Sequence, residues 1–170
     1  MEMNTSCPNE GHNRLLCHDP HLVGEITEAV KNEIGDRPLI VKLAYIPNDT
    51  DLETMVRETV GHGTVQGFST INTISARLVD ANGNQALPGV GRDRSGVCSN
   101  AIRGAGLDMV GRLAAIREKL GFDFAIVGVG GVIRPDDYKA YREAGANAVM
   151  SATGAMWDAN LAREIKETLR

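Results

Sequence analysis

The chain has 170 residues, a length that suits one domain or a piece of a larger one. Its 42% hydrophobic and 24% charged residues are those of a globular protein, and the net charge of −4 argues against a nucleic-acid-binding surface, which is normally basic. No apolar run approaches the ~20 residues that span a bilayer and no signal peptide is visible, so no membrane role is expected.

The cysteines are Cys7, Cys17 and Cys98, an odd number without paired spacing. That pattern disfavours a disulfide framework and fits a reducing, cytoplasmic location. The chain opens on Asn4-Thr5-Ser6-Cys7-Pro8-Asn9, which packs two amides, a hydroxyl and a thiol into six residues. Amides carry both donors and acceptors, so Asn4 and Asn9 suit a planar polar ring. A thiol beside such a ring can accept a proton once ionised, its free pKa being about 8.5. The plainer alternative for Cys7 is a small buried hydrophobe beside a turn proline.

A polar loop with His12, Cys17 and His18 follows, and Asp19-Pro20 then reads as an N-cap with proline at the first helical position. Leu22, Val23, Ile26 and Val30 continue that helix to about Ile34. Pro38 to Leu43 is a nearly continuous apolar run, as in a strand buried on both faces, interrupted by Lys42. Asp49 to Thr59 reads as a helix and Val65 to Asn72 as a strand. From Thr73 to Cys98 the pattern is that of a long loop, of the kind that is functional or mobile. Ser99 or Asn100 caps the next helix, whose stripe is Leu107, Val110, Leu113, Ile116 and Leu120. Phe122 to Val129 reads as a strand, Pro135 to Glu143 as a helix, Ala146 to Ser151 as a strand and Ala155 to Leu169 as a last helix.

Alternating strands and helices with short connections imply parallel strands, in a doubly wound sheet or a (β/α)8 TIM barrel. Polar groups stand at the carboxyl ends of successive strands: Asn4, Lys42, Asn72, Gly130-Gly131 and Thr153. Barrels build their sites at that end, often with a phosphate after the last two strands, so the barrel is the expected fold. Gly130-Gly131 lets backbone N–H groups approach an anion, and Ala152, Thr153 and Gly154 close the cup. Lys42 is costly inside an apolar strand unless it meets a partner or snorkels out. In a barrel it would reach the ring of a phosphate-bearing cofactor. His12, Cys17, His18 and His21 with Cys7 match no common metal spacing, and no metal is expected. His62 and Cys98 are read as packing residues at a helix end and in a loop.

Several stretches in order also resemble one known family. Glu2 to Asn9 looks like the active-site strand and loop of the dihydroorotate dehydrogenases, flavin enzymes of pyrimidine synthesis. Ile40-Val41-Lys42-Leu43 resembles their flavin-contacting lysine strand, Ile71-Asn72-Thr73 their substrate-binding strand end, and Arg94-Ser95-Gly96 their flavin-contacting glycine loop. Gly128 to Val132, Ala144-Gly145-Ala146 and Ala152-Thr153 resemble the phosphate-binding end.

The resemblance implies FMN as cofactor, held by Lys42, Ser95, Gly96, Gly130, Gly131, Ala152 and Thr153. It implies dihydroorotate or orotate as ligand, held by Asn4, Asn9, Asn72 and Thr73. Cys7 would be the base, taking the proton from C5 while hydride leaves C6. A cysteine there is similar to the soluble class 1 enzymes, whereas the membrane-associated class carries serine. Leu15 to Pro20 is also similar to dihydropyrimidine dehydrogenase, which makes Cys17 the alternative base. A tRNA-dihydrouridine synthase lacks its basic surface here.

The likeness spans residues 1–170 as the C-terminal part of the catalytic barrel, about strands 4 to 8. Activity of the chain alone is therefore in doubt, and a non-catalytic half-barrel is the rival expectation. A homo-oligomer, or completion by the missing N-terminal half, is expected. Ile40, Leu43, Ile71, Val127 and Val149 are expected to face the barrel interior.

Overall fold

A computed structural model of the chain describes residues 1–6 and 15–169. Its framework is one sheet of five parallel strands, β1 (Glu2–Asn4), β2 (Ile40–Leu43), β3 (Gly67–Thr70), β6 (Ala125–Val129) and β7 (Ala148–Met150). The missing numbers, β4 (Ile74–Arg77) and β5 (Arg94–Val97), form a separate antiparallel hairpin. Helices α1 (Pro20–Ile34), α2 (Asp49–Thr59), α3 (Arg103–Leu120) and α4 (Pro135–Glu143) each join successive sheet strands. Short helices α5 (Thr153–Trp157) and α6 (Leu161–Thr168) follow β7.

Strand order in the sheet is β1-β2-β3-β6-β7, without reversal. Parallel crossovers are right-handed, so an order that never reverses places every connecting helix on the same face. A doubly wound sheet would reverse and carry helices on both. The arrangement is thus a part of a barrel wall, as the polar strand ends predict.

The local reasons are visible at each helix start. Asp19 accepts from the Leu22 N–H at 3.2 Å, and Pro20 occupies the first turn of α1. Asn48 caps α2 by accepting from the Thr50 and Asp51 N–H groups at 2.8 and 3.2 Å. Both helices begin and end where the sequence places them. Val41, Leu43, Leu52, Met55, Val56, Phe68, Met109, Val110 and Leu113 are fully buried in one core. Phe68 and Phe124 meet edge to face, 5.4 Å apart.

Register separates the two faces of the sheet. Asn4, Lys42, Ser69, Val127 and Ala148 are consecutive partners across it and share one side, as do Glu2, Ile40, Gly67 and Ala125. Leu43, Thr70, Gly128 and Val149 share the other, helix-covered side. Leu43 and Val149 therefore do not face the barrel interior: side chains alternate, and both sit one residue out of phase with Lys42 and Ala148. Glu2, Asn4, Ala148 and Met150 are exposed, so the concave face is open at both outer strands.

Three further expectations change. The 73–98 stretch is not a loop throughout, because Ile74 and Val97 pair, as do Ala76 and Ser95. Ser99 caps nothing: it sits at φ +62° and opens a 3-10 turn, Ser99–Ile102, so α3 starts only at Arg103. The last helix breaks in two at Asp158, which is extended.

Candidate active site

The carboxyl ends of the parallel strands converge on one cleft of about 140 Å³ that opens to solvent. Lys42 enters it from β2, Ile71, Asn72 and Thr73 from the end of β3, and Val129 to Ile133 from the end of β6. Met150 to Gly154 close it from the end of β7. Of the residues singled out from the sequence, Lys42, Asn72, Thr73, Gly130, Gly131, Ala152 and Thr153 all line it.

Asn4 stands beside the cleft and reaches it through hydrogen bonds. Its Oδ1 accepts from the Ser6 N–H and hydroxyl, both at 3.1 Å, and from Asn72 Nδ2 at 3.4 Å. Asn72 Nδ2 also donates to the Ser6 carbonyl at 2.7 Å, while its Oδ1 accepts from the Thr73 N–H at 2.8 Å. Thr5 donates its hydroxyl to the Lys42 carbonyl at 2.8 Å. The end of β1 is thereby tied to both β2 and the strand end at Asn72. Cys7, Asn9 and His12 lie outside the described residues. Cys7 nevertheless follows directly on Ser6, which is wholly buried and anchored to Asn72.

Cys17 is elsewhere. It is fully buried in the core, and burial pushes its thiol up from the usual range despite two backbone hydrogen bonds. Ser95 and Gly96 stand in β5, paired with Ala76 and Ser75, and are not among the cleft's lining residues. From that stretch the lining is Cys98, Ser99 and Ile102. Cys98 is exposed, with Sγ 3.7 Å from Thr153 Oγ1, so it is a mouth residue and not packing. A lone cysteine in a Gly/Asp-rich loop carries no sequence signal for this. The approach of Cys98 to Thr153, 55 residues later at the start of α5, makes it so.

The floor of the cleft is the turn after β6. Gly130 and Gly131 have φ of +123° and +70°, a conformation that side chains resist, and a Cβ at Gly131 would press on Ser99 and Arg103. Past the turn, Asp137 is 2% exposed and its carboxylate accepts from the Ile133 and Arg134 N–H groups at 3.0 and 3.1 Å. It also pairs with Arg103. Ser151 donates its hydroxyl to the Val132 carbonyl at 2.7 Å and so ties the last two strand ends together.

The cleft is thus lined by backbone N–H groups at glycines, a cationic side chain with no ion-pair partner among the described residues, and amide and hydroxyl groups at one rim. Such a donor set suits a ligand with an anionic end and a polar planar end. No group of three His, Cys, Asp or Glu among the described residues could hold a metal ion. No helix among them is long and apolar enough to cross a membrane.

Similarity to known proteins agrees with this geometry. A dihydroorotate dehydrogenase of Dictyostelium discoideum is 32% identical over 166 residues, 95% of this chain and 44% of that protein. A putative dihydroorotate dehydrogenase A (fumarate) of Solibacter usitatus is 32% identical over 99% of this chain and 52% of its own length. The catalytic subunit of a dihydroorotate dehydrogenase B (NAD(+)) of Alkaliphilus metalliredigens is 33% identical over 90% and 47%. Among solved structures, DHODH from Eimeria tenella, crystallised with ferulenol, superposes with a TM-score of 0.76 at 18% identity, over 99% of this chain and 48% of that one. The chain spans about half the length of these relatives. The sequence profile described as dihydroorotate dehydrogenase matches residues 1–170, and the chain therefore belongs to the dihydroorotate dehydrogenase family.

Proposed function

We propose that this chain forms the FMN- and substrate-binding half of a dihydroorotate-oxidising site, in the cytoplasmic synthesis of pyrimidines. The observation that carries the proposal is the convergence of Lys42, Asn72-Thr73, Gly130-Gly131 and Ala152-Thr153 on one cleft. These fit the group: glycine N–H groups suit the phosphate, and Lys42 suits electron density on the ring. When bound, FMN supplies the hydride acceptor.

The protein's own part is to hold and deprotonate. Asn4, Asn72 and Thr73, with Asn9, present amides and a hydroxyl to the pyrimidine ring of dihydroorotate. Cys7, as thiolate, removes the C5 proton while hydride departs from C6, which leaves orotate and a protonated thiol. Cys17 serves this role badly, since it is buried in the core with its thiol pushed up and does not line the cleft.

The open concave face bears on partners. We assign the exposed outer strands to completion by an N-terminal half-barrel, in cis or as a second chain, in preference to a self-contained homo-oligomer. The relatives are named for different acceptors, fumarate and NAD(+).

The test is flavin content and dihydroorotate oxidation by the chain alone and with an N-terminal half-barrel from a relative. Cys7→Ala should abolish turnover by the completed protein and leave bound flavin in place. Loss of turnover on Cys17→Ala in a folded protein, with Cys7→Ala harmless, transfers the base role. A completed protein that takes up no flavin overturns the proposal in favour of a non-catalytic half-barrel.

A further inference from the structure

Tyr141 lies under the cleft, is fully buried, and plays no part in the chemistry above. It reaches from α4 toward the carboxyl end of β6. Its hydroxyl donates to the Gly130 carbonyl at 2.7 Å, with the Val129 carbonyl at 3.3 Å as a weaker second acceptor. The ring occupies a slot that glycines leave open: a Cβ at Gly128 would overlap the ring, and one at Gly106 would overlap the hydroxyl. A phenol is costly to bury without a partner, so a slot shaped for one and closed by a carbonyl acceptor is a specific arrangement.

In a trans peptide the C=O and the following N–H point in opposite directions. The Gly130 carbonyl is drawn down to Tyr141, away from the cleft, so the N–H of Gly131 in the same plane is turned up toward it. Both glycines line the cleft. The Gly131 N–H has no protein acceptor among the described residues, which leaves it available to a ligand. Asp137, one turn earlier on α4, clamps the far end of the same segment at Ile133 and Arg134. Two side chains of one helix thus set the segment from both ends.

We infer that Tyr141 is a positioning residue for anion binding: its hydroxyl orients the Gly130–Gly131 peptide so that the Gly131 N–H meets the terminal phosphate of the flavin nucleotide. This rests on the flavin reading of the cleft. Without the hydroxyl, the Gly130 carbonyl would lose its partner and the peptide would be free to rotate toward another. The ring of a phenylalanine would still fill the slot.

The experiment compares FMN with riboflavin, which has the same ring system and ribityl chain but no phosphate. Both are titrated against the chain completed by an N-terminal half-barrel from a relative, and against the same complex carrying Tyr141→Phe, with binding read from flavin fluorescence. The parent should prefer FMN, and Tyr141→Phe should weaken FMN about tenfold while riboflavin affinity stays within about twofold. A role in packing alone would weaken both flavins equally or neither, and a preference for FMN undiminished in Tyr141→Phe overturns the inference while the flavin reading stands. A completed parent that binds neither flavin removes the flavin reading and the inference with it, and one that binds both equally overturns the inference. Should Tyr141→Phe fail to fold, the parent's Gly131 amide resonance decides. It should shift on titration with inorganic phosphate, and an unmoved resonance overturns the inference.

Discussion

Tyr141 carries the clearest pH signature in the protein. Burial pushes its phenol up to about 12, the nearby Asp137 carboxylate adds to the rise, and Arg103 opposes it. In the unfolded chain it would ionise near 10. Between those values the folded state holds a proton that the unfolded state has released, so its contribution is complete below about 10 and is lost as pH rises. That difference corresponds to roughly 2–3 kcal/mol. Urea unfolding from pH 8 to 11.5 should show the parent losing stability above pH 10 more steeply than Tyr141→Phe, with the gap between them narrowing. Parallel curves would mean that the phenol ionises equally easily in both states. Gly131 offers a poorer probe of the cleft, because any side chain there strains a φ of +70° and crowds Arg103 whether or not an anion binds.

The segment between β6 and α4 shows how one carboxylate organises an element. Asp137 caps α4 by accepting from Ile133 and Arg134 and pairs with Arg103 at the start of α3, which has no side-chain cap of its own. It is 2% exposed, whereas Arg103 is 39% exposed, so the ion pair is half solvated and the N–H contacts matter as much as the charge. Asp137→Ala leaves those N–H groups without their acceptor and should cost about 2–4 kcal/mol. Denaturant unfolding measures the loss. A change below about 0.5 kcal/mol, the range of ordinary surface substitutions, would show that water replaces the carboxylate without cost. The hairpin of β4 and β5 is an element of another kind. Its strands Ile-Ser-Ala-Arg and Arg-Ser-Gly-Val have too few β-branched or aromatic residues to stand out, and sixteen residues of turn-rich sequence separate them. Only the pairing of one with the other makes them strands.

For the chain as a whole, the governing feature is a wall with two outer strand edges that pair with no other strand among the described residues, and a concave face left exposed at both of them. β1 and β7 are the outer strands of the sheet, and Met150, Met156 and Trp157, all at the β7 side, are 44%, 88% and 93% exposed. Exposed apolar groups beside an unpaired strand edge favour association. Residues 1–170 expressed alone should self-associate, bind FMN weakly and show no measurable dihydroorotate turnover. Light scattering after size exclusion checks the first point, and an N-terminal half-barrel from a relative should convert the self-associated species to a one-to-one complex. A monomer that is yellow and active on its own would refute all of this.

Composition, hydrophobic period and capping residues were enough to read the barrel class, the bounds of α1, α2 and α4, and the loops that meet at the cleft. Those features depend on neighbours a few positions apart: Asp19 before Pro20, Asn48 before Asp49, Gly130 beside Gly131. The direction of each strand's side chains did not follow, because a shift of one residue exchanges the two faces, and only the pairing of Lys42 with Ser69, and so of Leu43 with Thr70, puts Leu43 under the helices. Cys98 at the cleft mouth, Ser95 and Gly96 in the hairpin, and the Tyr141 hydroxyl under Gly130 were equally hidden. Each owes its place to a partner that is distant in sequence or on another element, and such contacts exist only once the chain has closed on itself.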